Sequence, residues 1–105
     1  MQLKVSAPGI DLKDGEREQI DRDLEKLDRR LKDRDQVFGE VRITDSNSAA
    51  HGFNVVLEVR YGRNHLIAKA ANTDLGMAVR EAREDVLRQI NDRSRRGHSS
   101  FSKGL

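Results

Sequence analysis

The chain has 105 residues, of which 35% are hydrophobic and 4% aromatic, contains neither Trp nor Cys, and has a formal net charge of +2. A chain of this length buries only ~60–65% of its unfolded surface, so one domain with a thin core is expected; without Cys, disulfides, thiolate zinc sites and a Cys nucleophile are excluded. Residues 1–92 hold sixteen Lys and Arg against eighteen Asp and Glu, while residues 93–105 hold Arg93, Arg95, Arg96 and Lys103 with no acid, so bulk positive charge cannot draw the body to nucleic acid unless its cations are sorted onto faces.

Met1–Ala7 alternates, with Leu3, Val5 and Ala7 against Gln2, Lys4 and Ser6, which predicts a half-buried strand ended by Pro8-Gly9. From about Asp14 to Asp33 the apolar residues Ile20, Leu24, Leu27 and Leu31 recur at steps of four, three and four. That spacing forms one helical stripe, and the acids Asp14, Glu16 and Glu18 suit the helix N-terminus. Val37–Thr44 alternates again around Val37, Val41 and Ile43, and the polar run Asp45–Gly52 reads as an exposed connection. Phe53, Val55, Leu57, Val59 and Tyr61 share one face of a strand opposite Asn54, Glu58 and Arg60. A short turn at Gly62-Arg63-Asn64 leads to a last strand over His65–Ala71, with Leu66, Ala68 and Ala70 inward. Thr73 or Asn72 can cap a second helix, whose stripe is Leu75, Val79, Ala82, Val86 and Ile90. Residues 94–105 show no periodicity and are expected to form a basic, disordered tail after a domain spanning 1–93.

The order β-α-β-β-β-α predicts an α+β sandwich, a four-stranded sheet with both helices on one face. Without its first strand the order is that of double-stranded RNA-binding domains, which read RNA largely by shape and backbone. No apolar run nears the ~18 residues of a membrane span, and no basic segment leads into an apolar one, so neither span nor secretion signal is expected.

The first helix has the most informative charge pattern. At about 100° per residue, Asp14, Glu18, Asp21, Glu25 and Asp28 fall on one flank of the stripe, and Arg22, Lys26, Arg29 and Arg30 on the other. One reading is a solvated helix with intrahelical pairs Asp21–Arg17, Glu25–Arg29 and Glu18–Arg22, each worth about 0.2–0.5 kcal/mol. The other is a basic edge that binds phosphates. The second helix adds Arg80, Arg83 and Arg88, diluted by Glu81, Glu84, Asp85 and Asp92, and Arg93, Arg95 and Arg96 form the densest basic cluster. His51, His65 and His98 are scattered without metal-ligand spacing, no acid–base pair is indicated, and the glycines form no phosphate loop. No catalytic residue, metal, cofactor or small-molecule substrate is therefore expected. Phe53 and Tyr61 fall on apolar strand faces, while Phe38 is out of phase and expected to be exposed.

The opening Met1-Gln2-Leu3-Lys4-Val5, then Ile10-Asp11-Leu12, Arg17-Glu18 and Lys26-Leu27, and above all Ala68-Lys69-Ala70 with Asp74-Leu75, Ala78-Val79 and Arg88-Gln89-Ile90, resemble the ribosome hibernation promoting factor and ribosome-associated inhibitor family, also called sigma-factor modulation proteins. The resemblance runs from Met1 to about Arg96 and is to the short form, without the long form's ribosome-pairing domain. It implies a cytoplasmic inhibitor of translation in stationary phase or stress, monomeric off the ribosome. Such a domain occupies the mRNA and tRNA channel of the small ribosomal subunit and contacts 16S rRNA through basic helix residues. Arg17, Lys26, Arg29 and Arg88 match the family directly, and Arg93, Arg95 and Arg96 match in kind. With Arg22 and Arg30 from the charge pattern, these nine form the expected RNA-contacting set. The chain departs from the family at Gly76 (usually Tyr), Arg80 (commonly Asp or Asn), Asp85 and Asp92 (often Lys) and Glu16 (apolar), so its second helix is less basic. Two further expectations compete: a protein-interaction module working through the acidic flank, and a stand-alone binder of double-stranded RNA.

Overall fold

Alternating apolar residues build strands and 3.6-residue stripes build helices, and the elements follow that division: β1 (Gln2–Ser6), α1 (Asp14–Arg30), β2 (Phe38–Asp45), β3 (Phe53–Tyr61), β4 (Asn64–Asn72) and α2 (Leu75–Lys103). The computed structural model describes residues 1–45 and 52–103, with side chains as far as Ser94. Most of the expected connection over Asp45–Gly52 therefore lies outside the described residues. The strands form one mixed sheet in the order β1-β2-β3-β4. β1 runs parallel to β2 across the α1 crossover, and the other two pairs are antiparallel.

Register decides which residues share a face. Leu3 and Val5 lie beside Gly39 and Val41, Val41 opposite Leu57, Ile43 opposite Val55, and Leu57 and Val59 opposite Ala68 and Leu66. That inner face meets Ile20, Leu24, Leu27 and Leu31 of the first stripe and Leu75, Ala78, Val79, Ala82, Val86 and Ile90 of α2 in one core cluster. Among the described residues, no polar or charged residue is buried in it. The helices thus share one face of the sheet, and the other face is left uncovered by any described element. The inward Gly39 is a close approach: a Cβ there would come within 3.1 Å of Met1 Sδ and 3.4 Å of Leu3 Cδ1. The β3–β4 turn is only two residues long, since Tyr61 pairs with Asn64. Gly62 supplies its positive φ of 57°, which a residue with a Cβ adopts at a cost.

Two expected boundaries differ. The cap of α2 is neither Thr73 nor Asn72 but Asp74, whose Oδ1 accepts the Met77 N–H at 3.1 Å. Asn72 acts one step earlier: its Oδ1 accepts the Asp74 N–H at 2.9 Å, and its Nδ2 donates to Glu81 at 3.1 Å. At that position the Asp74 carboxylate accepts a free helix amide and meets the positive end of the helix dipole. The backbone of α2 also continues to Lys103, past Ser94, where the tail is expected to start. At the sheet margin, Gln89 Nε2 of α2 donates to the Ile67 carbonyl of β4 at 2.9 Å.

Leu27 is fully buried, so Leu27→Ala is expected to cost about 2–5 kcal/mol. Asp74→Ala is expected to cost about 0.5–2 kcal/mol through the lost cap. Urea unfolding monitored by circular dichroism checks both.

Candidate nucleic-acid interface

Helical geometry and cross-helix contacts sort the expected cations into groups. Asp23, Lys26 and Arg30 of α1 meet, in that order, Arg80, Glu84 and Asn91 of α2. Contacts that advance together along both chains mean that the two helices run side by side in the same direction. The Asp23 carboxylate accepts from Arg80 Nη1 at 3.4 Å, and its backbone carbonyl accepts from Arg83 Nη1 at 3.1 Å. Arg83 Nη2 reaches Glu84 at 2.9 Å, and Lys26 Nζ reaches the same oxygen of Glu84 at 3.3 Å. Arg83 is the most enclosed of these cations, with 14% of its side chain exposed and its Nε buried without a partner. The seam is therefore polar, and its charges largely answer one another.

Arg22 and Arg29 lie roughly opposite the buried stripe of α1, with Lys26 between them and the seam, and Arg88 lies roughly opposite the stripe of α2. All four are exposed, and together they occupy the outer side of the helical layer. Arg22 is 3.6 Å from Glu18 and Arg88 is 3.7 Å from Asp85. Pairs this open are worth about 0–1 kcal/mol and yield readily to a phosphate. Arg29 has no ion pair among the described residues. Arg30 leans into the seam, donating to Asn91 Oδ1 at 3.2 Å.

Arg17 and Arg93 stand apart. Each is seven residues from a core residue of its own helix, Leu24 and Val86, and so sits on the sheet-facing side, near opposite ends of the layer. Arg93 Nη1 is 3.4 Å from Asn64 Oδ1 beside the β3–β4 turn. The side chains of Arg95 and Arg96 lie outside the described residues. Of the three intrahelical pairs expected on α1, only Glu18–Arg22 comes within 4 Å among the described residues. The acidic flank instead holds Asp28 against the Met1 amine at 2.8 Å.

The seam was not foreseen. Asp23, Arg80 and Arg83 are joined across 57 and 60 residues of chain, a separation for which no local spacing is a signal. Glu16 and Gly76, two departures from the family pattern, line one small cleft of about 90 Å³ with Gln19, Ile20, Asp23 and Leu75. Glu16 Oε1 accepts the Lys13 N–H at 3.4 Å at the start of α1. Over Gly76 lies the Arg80 guanidinium, since a Cβ there would be 3.2 Å from its Nη1. The Gly76 and Arg80 departures thus occur together: a bare backbone makes room for an arginine directed at Asp23.

Two carboxyls are held below the usual carboxylate range. For Glu84 the chief cause is the hydrogen bond from Arg83, opposed by desolvation and reinforced by Lys26. For Glu58, on the uncovered face of β3, it is the hydrogen bond with His65 at 2.9 Å, opposed by desolvation and reinforced by the charges of His65, Arg60 and Arg42. Among the described residues, no group of three or more His, Asp or Glu could hold a metal ion, and no helix is long and apolar enough to cross a membrane.

The family model described as Sigma 54 modulation protein / S30EA ribosomal protein matches residues 3–98. Among solved structures, the chain is similar to the N-terminal domain of Protein Y from Thermus thermophilus, with a TM-score of 0.71 at 19% identity over 86% of this chain and 96% of that one. It is also similar to a ribosomal subunit interface protein from Coxiella burnetii, with a TM-score of 0.70 at 14% identity over 90% of this chain and 98% of that one. At these identities the likeness concerns the fold. No curated protein sequence matches significantly.

The depressed Glu84 carboxyl stabilises the fold only while ionised. Its folded pKa lies below the unfolded value of about 4.3, so the contribution is complete above that value and is lost as pH falls through the folded pKa. Glu84→Gln is expected to lower the melting temperature at pH 7. The difference from the parent should shrink as pH falls below about 4; melting curves across a pH series read the convergence directly.

Proposed function

Since the chain belongs to the Sigma 54 modulation protein / S30EA ribosomal protein family, we propose that it binds the small ribosomal subunit and inhibits translation in stationary phase or stress. In this reading it works in the cytoplasm, as a monomer until it meets the ribosome, and performs no chemistry. It occupies the mRNA and tRNA channel, where its helical layer contacts 16S rRNA. The observation that carries the reading is the exposed outer set Arg22, Lys26, Arg29 and Arg88, held on two helices anchored to one sheet. Cations on rigid elements meet phosphates with little ordering cost. Arg30, Arg93 and Arg17 extend the contact along the seam and towards the ends of the layer, and Arg95 and Arg96 prolong it beyond the described side chains.

Glu84 and Asp85 temper this surface, because phosphate must draw Lys26 and Arg88 away from them. Binding should accordingly be strongly salt-dependent. Four phosphate contacts correspond to a loss of affinity on the order of 100-fold between 50 and 200 mM salt.

A second reading has its own observation. Asp14, Asp21, Glu25 and Asp28 are all exposed along one flank of α1, a surface suited to a basic protein partner rather than to RNA.

Cosedimentation with purified small subunits across a salt series separates the two. The expected result is binding at low salt that fades as salt rises and is abolished in the triple variant Arg22→Glu, Arg29→Glu, Arg88→Glu. Binding indifferent to that variant, or its absence at low salt, would count against the ribosome. A variant with Asp21→Lys and Glu25→Lys should bind as well as the parent or better.

A further inference from the structure

The uncovered face of the sheet has a composition unlike that of the helical layer. Its outward positions, read across β1, β2, β3 and β4 by register, are Gln2, Phe38, Arg60 and His65 in one row. The next row is Lys4, Glu40, Glu58 and Ile67, and the third is Ser6, Arg42, Val56 and Lys69. The lysines and arginines number four against two carboxylates, whereas α1 and α2 as far as Ser94 hold eleven carboxylates against nine cations. The sheet face is thus the more cationic side of the body. It also carries two of the three large exposed hydrophobics among the described residues, Phe38 (46% exposed) and Ile67 (44%). Neither helix can reach them, since both pack on the opposite face.

The cations and carboxylates are arranged unevenly. Glu40 and Glu58 stand directly opposite each other, a repulsive pairing unless each is neutralised. Lys4 and Arg42 lie 3.9 and 3.8 Å from Glu40, and Arg60 and His65 lie 3.6 and 2.9 Å from Glu58. The carboxylates are about three-quarters covered, while Lys4, Arg42 and Arg60 remain 77%, 53% and 65% exposed. Lys69 is exposed and has no ion pair among the described residues. Positive charge therefore forms a rim around a weakly acidic centre. Phe38 stands at one end of a depression of about 470 Å³ lined also by Gln2, Lys4, Glu40, Glu58 and Arg60, a volume within the ~300–1,000 Å³ of ligand pockets.

We propose that this open sheet face is a second nucleic-acid surface, which takes a single-stranded RNA segment with a base stacked on Phe38 and its phosphates on the rim of Arg60, Lys4, Arg42 and Lys69. An unstacked base has an apolar face for the ring, and Gln2 beside Phe38 has donors and an acceptor for its edge. The central carboxylates keep phosphates to the rim and accept from base amino groups. A duplex hides its bases and cannot use Phe38, and an acidic peptide would use the rim but leave the ring idle. The face differs from the helical surface of the proposed ribosome contact, so the two can be tested separately.

The test is fluorescence anisotropy of the full chain with a labelled cytidine 12-mer at 50 mM salt. Phe38→Ala should weaken binding by about five-fold or more, the lower end of what loss of one stacked base costs, and Phe38→Tyr should restore it. The double variant Arg42→Glu, Lys69→Glu should weaken binding and flatten its salt dependence. The helical triple variant Arg22→Glu, Arg29→Glu, Arg88→Glu should bind the 12-mer like the parent. All three substituted sheet positions are exposed, and melting curves verify that the variants are folded. No binding of the 12-mer, affinity unchanged by Phe38→Ala, or loss confined to the helical variant would overturn the proposal. Such a failure leaves cosedimentation with small subunits untouched, because that measurement reads the other face.

Discussion

A chain with about a third of its residues apolar can coat one side of one sheet and little more. Here that side receives everything: the inner residues of four strands and the stripes of two helices close into a single cluster that holds no polar or charged residue among the described ones. Removing a methylene from this layer is felt throughout, because close-packed interiors have no slack to absorb it. Both remaining surfaces follow from the same economy. The helices must present their polar sides outward, and the far side of the sheet stays open because both described helices pack on the same face.

Two helices resting on one sheet also rest on each other, and this converts a surface charge pattern into a seam. The basic flank of α1 is not uniformly open to solvent: part of it leans towards α2, where Glu84 holds Lys26 and Asn91 holds Arg30. Charges in such a seam fix the relative position of the helices more than they advertise a binding site. Arg83 is the clearest case, since its guanidinium spans from the Asp23 carbonyl to Glu84 while its stem is enclosed. The cations left to act at long range are those opposite the core stripes, and they are fewer than a count of basic residues suggests.

The fold was legible because its signals are local and periodic. Leu3 and Val5, Val41 and Ile43, Val55 to Tyr61 and the two helical stripes all declare their faces within a few residues of chain, and the order of elements then restricts the sheet. The cap of α2 was misread because Asn72, Thr73 and Asp74 are all competent cap residues, and only the backbone geometry chooses Asp74. The candidate site was less legible. Helical periodicity places Arg22, Arg29 and Arg88 on outer faces, but it cannot say that α2 lies against the side of α1 bearing Lys26 and Arg30. Arg17 and Arg93 join the expected set through the family resemblance, and their phase in the helix puts them on the sheet-facing side, away from the outer cations. Phe38 was legible as an out-of-phase residue, but its neighbours Arg60 and Gln2 required the register of two other strands.

A four-stranded open sheet ends in two strands whose outward backbone groups invite another strand to join. On β4 the Ile67 carbonyl is already taken by Gln89, and the exposed ammonium of Lys69 sits two residues along. An incoming strand would have to displace the glutamine and accommodate the lysine, both common guards against edge-to-edge pairing. The opposite margin is β1, only five residues long and carrying exposed Lys4. The side chain that stitches α2 to the sheet thus also keeps a cationic, partly apolar sheet from growing into its neighbours, which matters for a small protein that leaves one whole sheet face in water.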